Sequence, residues 1–275
     1  MDFKTRVTKI EDLDRLCEIE ISAMPDSPPY LKDNAEFFYK ETPGEIFGVE
    51  NEDNLLIGMG RYSVFPDNSG WLETLRVHKD FQRMGAGKLV YEEYFKKAKK
   101  DNAKVIRMYT ESYNTPSRNL ANSLGFSLAS TYGNMEITLE NVEDTNMDFS
   151  LVSNMDELHL EKMKENWDRF ISLNRSFFEI NTDNLKWMID KKMVYKNGDN
   201  IVIFGARMLR ERGLFLGFVS GDLESGVQFA MEKSKKLGSN KLTCIFPVDN
   251  LELKRALEKL GFKNIYDLFV MEKNM

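Results

Sequence analysis

The stretch "HKDFQRMGAGK" runs from His78 to Lys88. A strand-like run ending at Val77 precedes it, and a helical pattern follows. A helix N-terminus carries unpaired backbone N–H groups and the positive end of the helix dipole. Gly85 and Gly87 remove side chains that would hold an anion away from those donors. Gln82, Arg83 and Lys88 add donors or charge. The turn therefore suits a phosphate or pyrophosphate, although a plain loop-to-helix junction has the same pattern. The P-loop spacing GxxxxGK[ST] is absent, and Gln-x-x-Gly-x-Gly is not the GxGxxG spacing of a dinucleotide fold.

Working outward, the chain repeats itself. "MDFKTRVTKIEDLDRL" begins at Met1 and "MDFSLVSNMDELHLEKM" at Met147. "DNLLIGMGR" (Asp53 to Arg61) resembles "DNIVIFGAR" (Asp199 to Arg207) at the same offset. "NTPSRNLANSLGF" from Asn114 and "NLELKRALEKLGF" from Asn250 run from Asn to Phe over one spacing, at an offset about ten residues shorter. The order of landmarks is preserved, so two domains of one design are expected, residues 1–143 and 147–275. The polar stretch "ENVEDTN", Glu140 to Asn146, would join them.

In the first copy, strands are expected at Phe3–Val7, Ile46–Val49, Leu55–Phe65, Trp71–Val77 and Val105–Thr110, with Met135–Leu139 closing the sheet. Apolar residues at 3–4 spacing predict helices over Ile10–Met24 and Gly85–Lys100. A third, Thr115–Leu124, stops at Gly125. Pro25, Pro28 and Pro29 break the loop between the first helix and the second strand. The fold class is α/β, a mixed, mostly antiparallel sheet flanked by helices in each copy.

A chain of 275 residues with 42% hydrophobic content has room for two ordinary domains. No run approaches the ~18 apolar residues of a membrane span. The charged N-terminus lacks the apolar core of a secretory signal. Cys17 and Cys244, and His78 and His159, are too few and too scattered for a disulfide framework or a Cys/His metal site, and a reducing cytoplasm fits. The first 146 residues carry 18 Lys+Arg against 25 Asp+Glu, and the remainder 20 against 19. The acidic half argues against nucleic acid as partner and for a cationic small molecule, though an ordinary solubilising surface would look alike.

Gln82-x-x-Gly85-x-Gly87 after a strand ending in Val77 resembles the acetyl-CoA signature of the GNAT N-acetyltransferase superfamily. Asn114…Leu124-Gly125-Phe126 resembles its second signature, and the element order matches over residues 1–140. The chain thus resembles a tandem GNAT protein. The resemblance implies acetyl-CoA as co-substrate and an amine acceptor, small molecule or peptide, in a monomer or homodimer without nucleic-acid or membrane partner. It implies that the backbone of Leu75, Arg76 and Val77 pairs with the pantetheine arm. The N–H groups around Arg83, Met84, Gly85, Ala86, Gly87 and Lys88 would receive the pyrophosphate. Asn114, with Ser117 and Ser123, would stand on the cofactor side, Asn114 contacting the pantetheine or capping its helix.

Transfer to an amine needs a group to take its proton. On a strand Glu73, four residues before Val77, shares a face with Leu75 and Val77, and family members often carry the base at a matching position. Glu73 is therefore expected as general base, or as a residue that orients a cationic substrate. The family's usual acid, a tyrosine four residues before the Gly of Leu-Gly-Phe, is here Ala121. Ser123, Ser117, Tyr113, Tyr132 or water would have to serve. The loop Met24–Asn34, with Arg61 and Tyr62, is expected on the acceptor side. In the second copy Gly226 aligns with Gly85, Gln228 replaces the second glycine, and Leu223 and Glu224 replace Gln82 and Arg83. Leu214 or Phe215 stands for Glu73. That copy is expected to be degenerate, structural or cleft-shaping. A non-catalytic acyl-CoA-binding sensor or scaffold is the alternative for the whole chain.

Overall fold

The computed structural model describes residues 2–140, 142 and 147–275. Of the expected linker, Asn141 and 143–146 lie outside the described residues. The chain divides into two compact units, Met1–Met108 with Glu272–Met275, and Tyr109–Met271.

The first unit begins with β1 (Lys4–Val7) and α1 (Leu13–Ala23), followed by β2 (Gly44–Glu50), β3 (Leu56–Val64) and β4 (Gly70–Val77). Then come α2 (Ala86–Lys100) and the start of β5 (Val105–Glu111). The strands lie in the order β1-β2-β3-β4-β5, antiparallel except for the parallel pair β4–β5. Helix α2 forms because Val90, Tyr91, Tyr94 and Ala98 recur at 3–4 spacing and are buried. Lys97, Lys99 and Lys100 in its last turn complement the dipole.

Two local features position the site. β4 pairs with β3 at Gly58–Val77 and Met59–Arg76, then at Arg61–Glu73, so one extra residue has entered β4. Thr74, at φ +56°, marks this β-bulge. In addition, among the described residues β4 pairs with β5 at Gly70–Ile106 and Trp71–Arg107 alone. Beyond Trp71 the backbone of β4 has β3 on one side and is released from β5 on the other.

The second unit contains α3 (Thr115–Ser123), β6 (Ser127–Thr138), β7 (Ser150–Leu151), α4 (Leu160–Asn166), β8 (Phe170–Leu173), β9 (Ser176–Glu179) and α5 (Thr182–Asp190). It continues with β10 (Val194–Asn197), β11 (Asn200–Gly205), β12 (Leu214–Ser220), α6 (Leu223–Lys236), β13 (Lys241–Pro247), α7 (Leu251–Lys259), β14 (Lys263–Asn264) and most of β15 (Leu268–Asn274). Its main sheet runs β6-β13-β12-β11-β10-β7, and β8 and β9 form a separate hairpin.

The division into units does not fall at the repeat boundary, and the reason is an exchange of strands. The sequence predicts that Met135–Leu139 closes the first copy's sheet. Instead β6 is twelve residues long, and Tyr132–Thr138 pairs antiparallel with β13 of the second copy. Conversely, the chain's last residues join the first unit. Arg107 Nε lies 3.2 Å from Glu272 Oε2, and the Met275 N–H donates to Lys104 O at 3.0 Å. Each copy thus contains a strand contributed by the sequence of the other.

Candidate active site

Glu73 lies in β4 immediately before the bulge. Directly opposed residues of antiparallel strands point to one side of the sheet, so Glu73 goes with Arg61, and Arg76 with Met59. Arg61 and Met59 are two apart on β3 and share a face. Glu73 therefore shares its face with Arg76. Val77, opposite Gly58, and Leu75, two residues before it, lie on the other face. The expected common face of Glu73, Leu75 and Val77 is overturned because the extra residue at Thr74 shifts the alternation by one.

The Glu73 side chain is only 9% exposed. Its Oε1 accepts from Ser63 Oγ at 2.5 Å, and Arg61 Nε stands 3.8 Å away. Tyr94 Oη donates to the Glu73 carbonyl at 3.3 Å. Arg61 and Tyr62, expected to face the acceptor, are wholly buried. Arg61 is held from behind by the Phe38 and Thr42 carbonyls at 2.7 and 2.9 Å. In the preceding loop, the buried Glu20 accepts from the N–H groups of Tyr30 and Leu31 at 3.1 and 3.0 Å, fixing the segment that the prolines keep irregular.

The glycine turn follows in the same unit. After a short helical turn at Lys79–Phe81, Arg83 (φ +62°) and Gly85 (φ +96°) are left-handed, and Gly85 is the N-cap of α2. A Cβ on Gly85 would meet nothing within 4 Å, so it is the left-handed φ, not a lack of space, that favours glycine there. The first bonds of α2 are Lys88 N and Leu89 N to Gly85 O, at 3.0 and 3.3 Å. The preceding N–H groups thus fall in the unpaired first turn. Arg83, Met84 and Lys88 are exposed, Gly87 is half-exposed and Ala86 is buried under the turn. The Gln82 amide is turned back to the Val77 carbonyl at 3.1 Å and braces the turn. Arg76 Nη1 donates to the Leu75 carbonyl at 2.8 Å. These carbonyls each retain a second lone pair, so a strand-like ligand along β4 is compatible with both bonds.

Asn114, Ser117 and Ser123 belong to the second unit. Asn114 caps α3, its Oδ1 accepting from the Ser117 N–H at 3.2 Å. Asn250 caps α7 identically, accepting from the Leu253 N–H at 3.0 Å. Ser123 Oγ bonds the Leu120 carbonyl of its own helix at 2.7 Å. Ala121 is fully buried, as is Leu257. Tyr132 does not suit an acid's role: its hydroxyl donates to Phe170 O and accepts from Phe170 N–H, both at 2.9 Å, and burial holds its phenol far above the usual range. Tyr113 is 68% exposed, packed edge-on against Tyr266.

The second copy repeats the bulge without the chemistry. β11 and β12 pair at Ile203–Phe218 and then at Phe204–Leu216, leaving Gly217 as the extra residue. By this register Arg61 corresponds to Phe204 and Glu73 to Leu216, one or two positions from where sequence alignment placed it. The offset shifts because β10 and β11 join through two residues, Gly198 and Asp199, whereas β2 and β3 join through a longer loop. A Cβ on Gly217 would stand 2.5 Å from Ser172 O, so β8 lies directly against the bulge. Gly226 is not in a turn. It lies inside α6, where an added Cβ would stand 2.5 Å from Val219, and the left-handed glycine before the helix is Gly221 (φ +84°). The cap of α6 is Asp222, whose carboxylate accepts from the Ser225 N–H at 3.1 Å. The helix end that would receive a phosphate already holds an anion. The open groove beside it, about 390 Å³, is lined by charges of both signs, Asp222, Glu224 and Glu252 with Arg255 and Lys259.

With this geometry in place, the comparisons with known proteins become specific. The model of the Acetyltransferase (GNAT) family matches residues 10–126. Residues 10–126 have the GNAT fold. An N-alpha-acetyltransferase of Sulfurisphaera tokodaii is 26% identical over 135 residues, covering 46% of this chain and 80% of that protein. The GCN5-related N-acetyltransferase from Sphaerobacter thermophilus shares the fold at TM-score 0.69 and 12% identity, over 99% of this chain and 95% of its own. A tandem GNAT protein from the clavulanic acid biosynthesis pathway does so at 0.63 and 11%, over 99% and 98%. The tandem GNAT fold therefore extends over the full chain. Among the described residues no helix is long and apolar enough to cross a membrane, and no group of three His, Cys, Asp or Glu could hold a metal ion.

Proposed function

We propose that the first copy transfers the acetyl group of acetyl-CoA to a primary amine, with Glu73 as general base. The observation that carries this reading is the placement of a nearly buried carboxylate at the bulge of β4, just before backbone released from β5 and one loop before a glycine-capped helix. Pantetheine would lie along Leu75–Val77, and the pyrophosphate against the N–H groups of Arg83–Lys88. The amine nitrogen attacks the thioester carbonyl while Glu73 accepts its proton, directly or through water. The tetrahedral intermediate collapses, the C–S bond breaks, and the CoA thiolate leaves. Because Ala121 replaces the usual tyrosine and Tyr132 is committed elsewhere, water is the proton source for the thiolate. The reading assigns the second copy a structural role and, with Cys17 and Cys244 both unbridged, the chain to the cytoplasm.

The S. tokodaii relative's name directs the first acceptor to try, a peptide α-amine. Thiol release from acetyl-CoA, measured with short peptides, polyamines and amino sugars in parallel, tests the function. Release stimulated by one acceptor class is expected. CoA binding without release in any arm would favour the sensor reading, for which Ala121 is the supporting observation. Calorimetry should give one CoA per chain. Gly85→Glu puts a carboxylate at the anion turn and should weaken binding by about 10²-fold, equivalent to two charge-assisted hydrogen bonds. Gly85→Ala serves as control for backbone strain alone. A stoichiometry of two, or unchanged affinity in Gly85→Glu, refutes the placement.

A further inference from the structure

We infer that Arg61 and Ser63 are positioning residues that fix the Glu73 carboxylate and tie it to the segment Phe37–Thr42. This rests on the reading of Glu73 as the base.

The contacts form one chain. The Phe38 and Thr42 carbonyls accept from the two terminal nitrogens of Arg61, at 2.7 and 2.9 Å, and the guanidinium lies 4.7 Å from the centroid of the Phe38 ring. Arg61 Nε donates to Ser63 Oγ at 2.9 Å. The Ser63 hydroxyl hydrogen is thereby directed onward, to Glu73 Oε1. A serine has one hydrogen to give and lone pairs to receive with, so the bond from Arg61 sets the direction of the bond to Glu73. Both Arg61 and Ser63 are fully buried. One oxygen of Glu73 is engaged this way, and the carboxylate cannot rotate without breaking the bond from Ser63.

A burial this polar is costly for a sheet to hold, and the second copy shows that the fold does not need it. With a bulge of one residue in the corresponding strand pair, the positions corresponding to Arg61 and Glu73 are Phe204 and Leu216. Phe204 and Leu216 are buried core residues. The Arg61–Glu73 pair is thus replaced by two apolar side chains in the copy whose helix cap is a carboxylate. Two polar residues in contact with each other and linked to the carboxylate beside the bulge are explained by control of that side chain. The link to Phe38 and Thr42 adds that movement of this segment would be felt at Glu73 through Arg61.

The test is a double-mutant cycle on the full chain, with acetyl-CoA and the fastest acceptor of the panel above. Ser63→Ala should lower kcat about tenfold, the effect of one hydrogen bond to a charged group, with the KM for acetyl-CoA unchanged. Ser63→Thr, which keeps the hydroxyl, should recover most of the rate. In a Glu73→Gln background, Ser63→Ala should cause no further loss, because residues acting as a unit are non-additive. Arg61→Lys, which keeps the charge but loses the fork, should behave as Ser63→Ala does. If Ser63→Ala keeps full kcat, or if its loss multiplies with that of Glu73→Gln, the positioning role is overturned while the base remains. If Glu73→Gln itself keeps full kcat, the base assignment falls, and the positioning role with it.

Discussion

Glu73→Gln should reduce kcat by roughly 10²–10⁴-fold, the range for loss of a general base, while CoA affinity stays within a few-fold of the parent. The substitution is nearly isosteric. The amide oxygen can still accept from Ser63 Oγ and the backbone contact from Tyr94 is untouched, so the bulge and the turn should persist. What is lost is the ability to take a proton and the partner charge 3.8 Å from Arg61. Calorimetry with CoA and thiol-release kinetics on the same preparation separate the outcomes. A fall in kcat with intact CoA binding supports the base. A rise only in acceptor KM would make Glu73 a binding residue for a cationic substrate and refute the assignment. Melting temperature provides the remaining control, since Arg61 is wholly buried and depends in part on that carboxylate.

Much of this was legible in the sequence, and the rest was hidden for physical reasons. Strand and helix patterning placed α1, α2, α3 and the first five strands close to where they lie. The Asn114 and Asn250 caps confirm the 136-residue offset read from the two Asn-to-Phe runs. The glycine turn was readable because only glycine suits φ +96° in open space. The bulge was not. Thr74 is a β-branched residue of ordinary strand character, and nothing in "GWLETLRV" announces that one residue is supernumerary. Hence simple alternation puts Glu73 on the wrong side of β4 relative to Val77 and gives no sign of its contacts with Arg61 and Ser63. The acceptor-side expectation for Arg61 overlooks the available signal, the polar Ser63 two residues on in its own strand and Glu73 directly across. In the second copy, sequence alignment paired Gly226 with Gly85, but a glycine can be selected for close helix packing as well as for a left-handed turn.

The exchange of strands was equally illegible, because alternation identifies a strand but not its neighbour. It leads to the prediction of largest structural effect. Residues 1–143 expressed alone should fail to form a stable, cooperative domain, although they contain the whole of the family-matched stretch. The cut removes Glu272, leaving Arg107, which is 3% exposed, without the carboxylate 3.2 Å away. Removing one partner of a fully buried ion pair costs about 3–5 kcal/mol, and this part-exposed pair less, against a total stability of ~5–15 kcal/mol for a typical domain. It also strips β13 from Tyr132–Thr138, so seven residues of paired strand become an open edge. Tyr132 and Met135, both buried, lose their cover as well. Circular dichroism melting and size-exclusion chromatography of the fragment should show aggregation or a broad, low transition. Appending residues 263–275 through a flexible linker would restore Glu272 and β14 but leave the β13 side of Tyr132–Thr138 unpaired, so it should recover stability only in part. A fragment 1–143 that melts at the temperature of the full chain and remains monomeric would mean that β6 can fold back to close its own sheet. The exchange would then be a consequence of linking the copies rather than a requirement of the fold.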